Sequence, residues 1–371
     1  MIYKLSEILT SYVEKNLEQK YQPVAVGKYG IRKREDIYKK DLAKDYSKNK
    51  VIRKDTLTIG MGSTQIDIGI LIENEVYSVS PAYHTYKIIT SIVDSEFLEW
   101  ILKEMNPELS KLYMISSARQ GKSVDFERMM NHKINIPTLE KQLIIIKKLK
   151  HIDKLISNMK TNYSKYDEIV KSQFIEMFGK CDNYDLIGNV LNICRGASPR
   201  PISNYITSNE DGVNWIKIGD VDENSLYITS TEERITKEGA LKSRTVKPGD
   251  FILSNSMSFG RPYILGINGC VHDGWLILSD YENTFNPLYL YHAIRDDEVQ
   301  YQFNGKANGA TVRNLNSELV RNTSIKIPSI NQQNKFADFV QLIDKSKFIV
   351  QKQIKLLEEL LEKKMNEYFG Q

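Results

Sequence analysis

Apolar residues alternate in steps of four and three along two stretches of the chain, which is the period of helices that pack on each other lengthwise. The first stretch carries Ile145, Leu149, Ile152, Ile156, Met159, Tyr163, Tyr166 and Val170, and the second carries Phe336, Val340, Ile343, Val350, Ile354, Leu357 and Leu361. Lys347 takes the single position in the second series where an apolar residue is expected. Two matched seams in one chain predict that the two helices pack against each other.

The two stretches are copies of one segment. The run from Ile134 to Pro137 opens the first, and the run from Ile325 to Pro328 opens the second. The closing pairs, Phe178-Gly179 and Phe369-Gly370, keep the same offset, since 327 − 136 = 191 and 369 − 178 = 191. Roughly forty residues at about 1.5 Å each predict a rod of about 60 Å.

Residues suited to helix ends flank each copy. Pro137 and Pro328 fit a first turn, where no backbone donor is needed. Thr138 and Ser329 can cap the free amides, and the glycines after Phe178 and Phe369 suit a left-handed stop.

The segments before each helix predict mixed globular domains. Short runs of β-branched and aromatic residues, separated by glycine-rich or acidic turns, indicate strands, and helical spacing returns at the first turns of the chain, at Ser95 to Glu104 and at Pro287 to Ile294. We therefore divide the chain into a first globular domain (1–133), a first long helix (134–180), a second globular domain (181–324) and a second long helix (325–371). The fold class is α+β. If the helices run antiparallel, the domains stand at opposite ends in a pseudo-two-fold arrangement.

Composition bounds the partners without choosing one. A net charge of +4 and a pI near 8.6 permit a polyanion, and 41% hydrophobic residues suffice for real cores. Three cysteines without metal-type spacing favour a reducing compartment, and no apolar run reaches the length of a membrane span. We expect a cytoplasmic protein that uses no membrane.

Two similar but non-identical domains on a rigid spacer indicate a target with two sites at a set distance. Duplex DNA is the natural candidate, because sites about 34 Å apart along it fall on the same face. An asymmetric, split DNA sequence is the target that such an arrangement predicts.

The chain resembles the specificity subunit of type I restriction-modification systems, the HsdS family, over nearly its full length. The resemblance rests on the repeated Ile-Pro-helix-Phe-Gly segment and on four runs of the second domain: Arg195 to Ile202, Trp215 to Asp220, Pro248 to Asp250 and Ser254 to Pro262. The first domain departs from this pattern. It has Gly60 to Thr64 in place of Ser256 to Gly260, and no equivalent of the loop from Arg195 to Pro201.

The resemblance implies that each globular part is a target recognition domain reading one half of a bipartite double-stranded DNA sequence. The paired helices would set the unread spacer and dock two methyltransferase (modification) subunits, to which restriction/translocase subunits can be added. It implies no cofactor in this chain, since S-adenosylmethionine, ATP and Mg would belong to the partner subunits.

Candidate DNA contacts are polar or basic residues in loops and at strand ends. Each also has a plainer interpretation as a solvated side chain or a structural turn. In the second domain they are Arg195, Ser198, Arg200, Lys217, Ser254, Asn255, Ser256, Ser258, Arg261, Lys306, Asn308, Thr311, Arg313 and Asn314. In the first domain they are Arg32, Arg34, Thr64, Gln65, Arg119 and Lys122.

Motifs for catalysis are incomplete. Gly121-Lys122-Ser123 imitates a phosphate-binding loop, but Ser116 stands where the motif needs its first glycine. Asn286-Pro287-Leu288-Tyr289 imitates an adenine methyltransferase motif, yet it fits a helix start better. No histidine has metal-ligand spacing, and His272 beside Asp273 lacks a nucleophile. We therefore expect a noncatalytic chain. Two rival hypotheses are a coiled-coil scaffold that binds only proteins and a self-sufficient DNA methyltransferase.

Overall fold

The computed structural model describes residues 1–27, 30–37, 45–117, 121–221, 225–255, 259–306 and 315–370. It forms two compact units. The first consists of Met1–Lys160 and Lys352–Gln371, and the second is Thr161–Gln351. Each unit therefore holds one globular part, the start of one long helix and the end of the other.

The first unit is built on a four-stranded antiparallel sheet. Its strands are β1 (Ile2–Lys4), β2 (Leu9–Ser11), β3 (Val24–Gly27), β4 (Gly30–Lys33), β5 (Lys50–Arg53), β6 (Thr56–Met61), β7 (Ile66–Leu71), β8 (Val76–Val79), β9 (His84–Ile88), β10 (Met114–Ser117), β11 (Gly121–Val124) and β12 (Lys133–Asn135). Its helices are α1 (Leu5–Ile8), α2 (Ser95–Tyr113), α3 (Phe126–Met130) and the start of α4 (Leu139–Phe178). The sheet order is β2-β9-β6-β7, and β1 pairs with β12 to bring the chain's first strand beside the entry to α4.

The second unit contains two five-stranded sheets. Its strands are β13 (Tyr184–Leu186), β14 (Asn192–Arg195), β15 (Ile206–Thr207), β16 (Val213–Ile216), β17 (Tyr227–Ile228), β18 (Glu233–Ile235), β19 (Arg244–Val246), β20 (Phe251–Ser254), β21 (Pro262–Leu265), β22 (Gly269–Val271), β23 (Trp275–Ser279) and β24 (Ser324–Lys326). Its helices are α5 (Ile187–Val190), α6 (Lys237–Leu241), α7 (Pro287–Arg295), α8 (Asp297–Lys306), α9 (Ser317–Arg321) and the start of α10 (Ile330–Phe369). The sheet orders are β14-β23-β20-β21-β17 and β15-β18-β16-β22-β19.

The α+β fold class with two long helices is confirmed, since α4 and α10 are each 40 residues long. In the first unit, Ile146 and Leu149 near the start of α4 share a core with Phe369 at the end of α10, while Lys160 pairs with Glu358. Positions thus rise along α4 as they fall along α10. The helix segments of this unit run antiparallel.

The second unit repeats this arrangement with the other two helix ends. Phe174 and Phe178 of α4 lie 5.4 and 5.5 Å, ring centre to ring centre, from Phe336 of α10, and Lys347 pairs with Asp167. The segments are again antiparallel. Burying several aromatic rings at one crossing stabilises the helix ends against the globular part.

The residues of the predicted seam face inward. All fifteen apolar seam positions are buried or half-buried, whereas most of their neighbours on the same helices are exposed. Lys347, the polar member of the series, is half-buried as well. Its ammonium group lies 2.8 Å from Asp167 and 5.5 Å from the ring centre of Tyr163, so its charge is balanced without leaving the seam.

A buried glutamine joins each globular part to the start of its long helix. The Gln142 amide donates to the carbonyls of Ile92 (3.0 Å) and Pro137 (2.8 Å), and its oxygen accepts from Asp94 N at 2.8 Å.

Gln333 repeats this set in the second unit. It donates to Thr284 O (3.0 Å) and Pro328 O (2.9 Å) and accepts from Asn286 N at 2.8 Å. Both glutamines are fully buried. Since a buried amide needs partners for all its polar atoms, these bonds fix the position of each globular part on its own helix start.

Some local predictions were wrong. The opening helix ends at Ile8 instead of continuing to Val13, which is exposed beyond strand β2. The helix predicted at Ser95 to Glu104 runs to Tyr113, with Pro107 tolerated inside it.

The predicted left-handed stops are wrong as well. Among the described glycines only Gly30, Gly249 and Gly260 have positive φ. The amides of Gly179 and Gly370 bond to the carbonyls four residues earlier, at 2.7 and 2.9 Å, and so continue the helical pattern. Within the described ranges, no helix combines the length and apolar content that a membrane span requires.

Candidate nucleic-acid interface

The loop that follows β14 carries three of the predicted contact residues of the second unit. Its backbone is fixed to the turn between β22 and β23, since Gly196 N donates to Trp275 O (2.9 Å) and Ala197 N donates to Val271 O (3.2 Å). Gly196 is required there, because a Cβ at this position would lie 2.2 Å from the carbonyl oxygen of His272. The loop is therefore held close to the 271–275 segment by its main chain.

Asp273 gathers the polar side chains of this loop. Its carboxylate accepts from Ser198 Oγ at 2.9 Å and from an Arg200 guanidinium nitrogen at 3.1 Å, and its carbonyl oxygen accepts from Arg195 Nε at 2.8 Å. His272 Nε2 lies 3.1 Å from the same carboxylate. Both arginines remain exposed, and the Arg200 side chain is 82% exposed.

The charge state of Asp273 follows from these contacts. Burial raises its pKa, but the hydrogen bond from Ser198, the nearby imidazole of His272 and the two guanidinium groups together outweigh burial. The pKa of Asp273 is therefore held below its ordinary value. The carboxylate is ionised near neutral pH and balances part of the charge on the two arginines.

A cavity of about 460 Å³ opens beside this cluster. Ser198, Arg200, Lys217, Trp215, His272 and Asp273 are among its lining residues. The Lys217 ammonium lies 2.7 Å from Glu233, and this hydrogen bond raises the pKa of Lys217. Three sequence-predicted residues, Ser198, Arg200 and Lys217, are thus brought to one cavity, and Arg195 lies at its edge through Asp273.

Two predicted contacts are buried and serve the turn between β20 and β21. Ser254 is 0% exposed, and its hydroxyl accepts from Arg261 N at 3.1 Å. Asn255 is 3% exposed, and its amide donates to Asp273 O at 3.1 Å. The structural interpretation applies to both, because neither side chain reaches the surface. Arg261 is half-buried beside them.

Several predicted contacts lie outside the described residues. They are Arg119, Ser256, Ser258, Asn308, Thr311, Arg313 and Asn314. Lys306 is the last residue of α8, and its side chain is also outside the description.

The first unit brings together fewer of its candidates. Lys122 on β11 donates to Ser63 O at 2.9 Å, which places it beside Thr64 in the turn between β6 and β7. Thr64 and Lys122 are both exposed. Arg32 is exposed on β4, whereas Arg34 is half-buried in the 3-10 turn that follows.

Gln65 faces a different environment. It lines a cavity of about 620 Å³ whose charged lining contains four acidic residues, Glu73, Glu96, Glu99 and Asp153, against two lysines. Burial raises the pKa of Glu99. A largely acidic lining repels phosphate, so Gln65 is the weakest member of the first set.

The motifs that imitate catalysis have structural roles. Asn286 caps α7, accepting from Leu288 N at 2.9 Å, and Gly121 to Val124 is the strand β11. Within the described part of the chain, no three His, Cys, Asp or Glu side chains are placed to share a metal ion. Sequence reasoning noticed His272-Asp273 but missed Asp273 as the centre of the polar cluster. The signal was its proximity to the Trp275 strand, which only the sheet order makes meaningful.

Comparison with known proteins gives a consistent result. The family model described as type I restriction modification DNA specificity domain matches residues 1–165 and 186–359. A solved structure that concerns complex assembly and conformational transition of the type I R-M system has a TM-score of 0.66 at 15% identity, covering 100% of this chain and 97% of that one.

Two further structures share the fold. The HsdS subunit from Thermoanaerobacter tengcongensis has a TM-score of 0.53 at 14% identity, with 100% and 96% of the two chains covered. The type I restriction-modification S subunit from M. genitalium has a TM-score of 0.53 at 13% identity, with 98% and 94% covered.

Proposed function

The chain belongs to the type I restriction modification DNA specificity family, and from that premise we propose that it is the DNA-reading subunit of a type I restriction-modification complex. Each globular part reads one half of a bipartite, asymmetric duplex sequence. The two long helices set the unread spacer between the halves and dock two methyltransferase subunits.

The observation that carries the proposal is the loop from Arg195 to Arg200. It presents two exposed guanidinium groups on a main chain that is fixed to the sheet. Arginine suits both phosphate and the guanine edge, because its planar fork donates two parallel hydrogen bonds. A loop held in this way fits readout of a base better than a freely solvated arginine does.

The difference between the units supports two different half-sites. The second unit presents the arginine loop, whereas the first presents Thr64 and Lys122 on adjacent turns. Readers with different polar groups recognise different bases. The half-sites are therefore expected to be unrelated in sequence.

Exposed aliphatic residues on the long helices support docking of partner subunits. In the second unit, Leu342 and Ile349 of α10 are seven residues apart and 61% and 55% exposed. In the first unit, Leu143 and Ile144 of α4 are 56% and 49% exposed. Large apolar side chains that face outward at helical spacing are typical of a protein-protein interface. We assign S-adenosylmethionine, ATP and Mg to those partner subunits and infer a noncatalytic role for this chain.

The proposal is tested by selecting bound molecules from a random duplex pool with the full chain, alone and co-expressed with its methyltransferase subunits. A split consensus with a constant unread spacer is expected. Inserting about four residues, roughly 6 Å of helix, into α4 should change the spacer and keep both half-sites. If both half-sites change instead, the division between reading domains and spacer helices is wrong.

The same experiment separates the rival scaffold function. A scaffold that binds only proteins would co-purify with partners and select no duplex sequence. A self-sufficient methyltransferase would bind S-adenosylmethionine as the isolated chain, which equilibrium dialysis measures directly.

A further inference from the structure

Asp273 connects three separate segments of the second unit. Its carboxylate holds Ser198 and Arg200, its carbonyl oxygen holds Arg195 and Asn255, and its own amide donates to Ser198 Oγ at 3.2 Å. One residue therefore joins the loop after β14 to the end of β20 and to the turn before β23.

The loop's main chain and its side chains are held by different groups. The main chain bonds to Trp275 and Val271 without any contribution from the Asp273 side chain. The Ser198 hydroxyl and the Arg200 guanidinium, by contrast, both bond to the Asp273 carboxylate. Removing this carboxylate should leave the loop in place and release the direction of its polar side chains.

We propose that Asp273 is a positioning residue that sets the direction in which the arginines of the second unit meet DNA. This inference rests on the proposed function, because it takes the loop from Arg195 to Arg200 as the reader of one half-site. Asp273 itself contacts no base. It acts through Arg200 and Ser198 by side-chain bonds, and through Arg195 by its carbonyl oxygen.

The negative charge has a second consequence. A carboxylate beside a DNA-binding loop repels phosphate and occupies part of the hydrogen-bonding capacity of Arg200. It therefore lowers the affinity for any duplex, while an arginine held at a fixed angle discriminates between bases more sharply than a mobile one. Loss of the carboxylate should weaken discrimination without weakening non-specific binding.

The test compares three variants of the full chain, co-expressed with its methyltransferase subunits, in selection from a random duplex pool. Asp273→Ala removes the carboxylate, and Asp273→Asn keeps an acceptor for Ser198 and Arg200 without the charge. Asp211→Asn is the matched control, because Asp211 pairs with Lys237 at 2.9 Å elsewhere in the same unit and loses the same charge. The half-site belonging to the second unit is the one altered by Arg200→Ala.

Asp273→Ala should lower discrimination at the half-site of the second unit about tenfold, within the range of one well-aligned base contact. Discrimination at the other half-site should not change. Asp273→Asn should retain more discrimination than Asp273→Ala, and both should bind random duplex at least as tightly as the unaltered chain. Asp211→Asn should select the unaltered sequence. If Asp273→Ala does not fold, Asp273→Asn carries the test through its partial loss.

Three results would overturn the inference. The first is unchanged selection by both variants, and the second is an equal loss at both half-sites together with a lower unfolding temperature, which would make Asp273 merely structural. The third is an absence of any effect of Arg195→Ala and Arg200→Ala on selection. That result would remove the reader itself and so would count against the assigned DNA interface as well, which distinguishes it from the first two.

Discussion

The buried glutamine at the start of each long helix offers a quantitative test of how the globular parts are attached. Gln333→Leu keeps a side chain of similar size but removes three hydrogen bonds, to Thr284 O, Pro328 O and Asn286 N. Leucine cannot replace them. The mutation therefore leaves one amide and two carbonyls of the main chain without the partner they have now.

The magnitude follows from the burial of those groups. An unsatisfied buried polar group costs about 1–3 kcal/mol. The bond to Pro328 O is buried, whereas the bonds to Thr284 O and Asn286 N are partly buried, so water compensates them in part. We therefore expect a loss of about 3 kcal/mol in the local stability of the second unit, which is more than a hundredfold in its opening equilibrium.

Hydrogen exchange measured by mass spectrometry is the appropriate assay, because a chain with two compact units has no single well-defined unfolding free energy. Peptides that cover Asn286 and the first turn of α7 should exchange about a hundredfold faster in Gln333→Leu. Gln341→Leu is the matched control, since Gln341 is exposed on the same helix. Gln142→Leu should produce the same effect in the first unit, at Asp94 and the start of α2.

An exchange rate at the start of α7 within about threefold of that in Gln341→Leu would refute the reasoning. It would mean that water satisfies the three main-chain groups once Gln333 is removed. A large effect confined to α10 would also contradict it, because the bonds connect that helix to the segment 284–286.

Three further predictions concern charge. Burial, with help from Arg295, lowers the pKa of His292 to about 4, so the folded state excludes a proton that the unfolded chain takes up below about pH 6.5; the second unit should lose about 3 kcal/mol between those values, and His292→Gln should flatten the dependence in pH-resolved hydrogen exchange. Lys347→Leu completes the apolar seam in place of a lysine paired with an exposed Asp167, and we expect an unfolding temperature unchanged or slightly higher; a clear decrease would show that the ion pair contributes net stability. Arg200→Ala should reduce the slope of log affinity against log salt by about 0.9 if the side chain meets a phosphate, while Lys237→Ala should leave the slope unchanged in the same titration.

The sequence by itself determined the long helices and their inward faces. Steps of four and three place the apolar residues from Ile145 to Val170 on one side of a helix whatever the surroundings are, because this follows from helical geometry. The internal copy at an offset of 191 residues also predicted that Gln142 and Gln333 would be equivalent. Capping was less predictable, since Gly179 and Gly370 extend the helical bonding instead of adopting a left-handed stop.

The candidate interface was decided by the tertiary structure. Arg195 and Asp273 are separated by 78 positions, and they meet only because β14 pairs with β23 and so carries the loop to the turn before Trp275. The same sheet turned Ser254 and Asn255 inward, although their polarity had suggested contact with DNA. Helical periodicity is a local property that a sequence displays directly, whereas the pairing of distant strands depends on the packing of the whole unit.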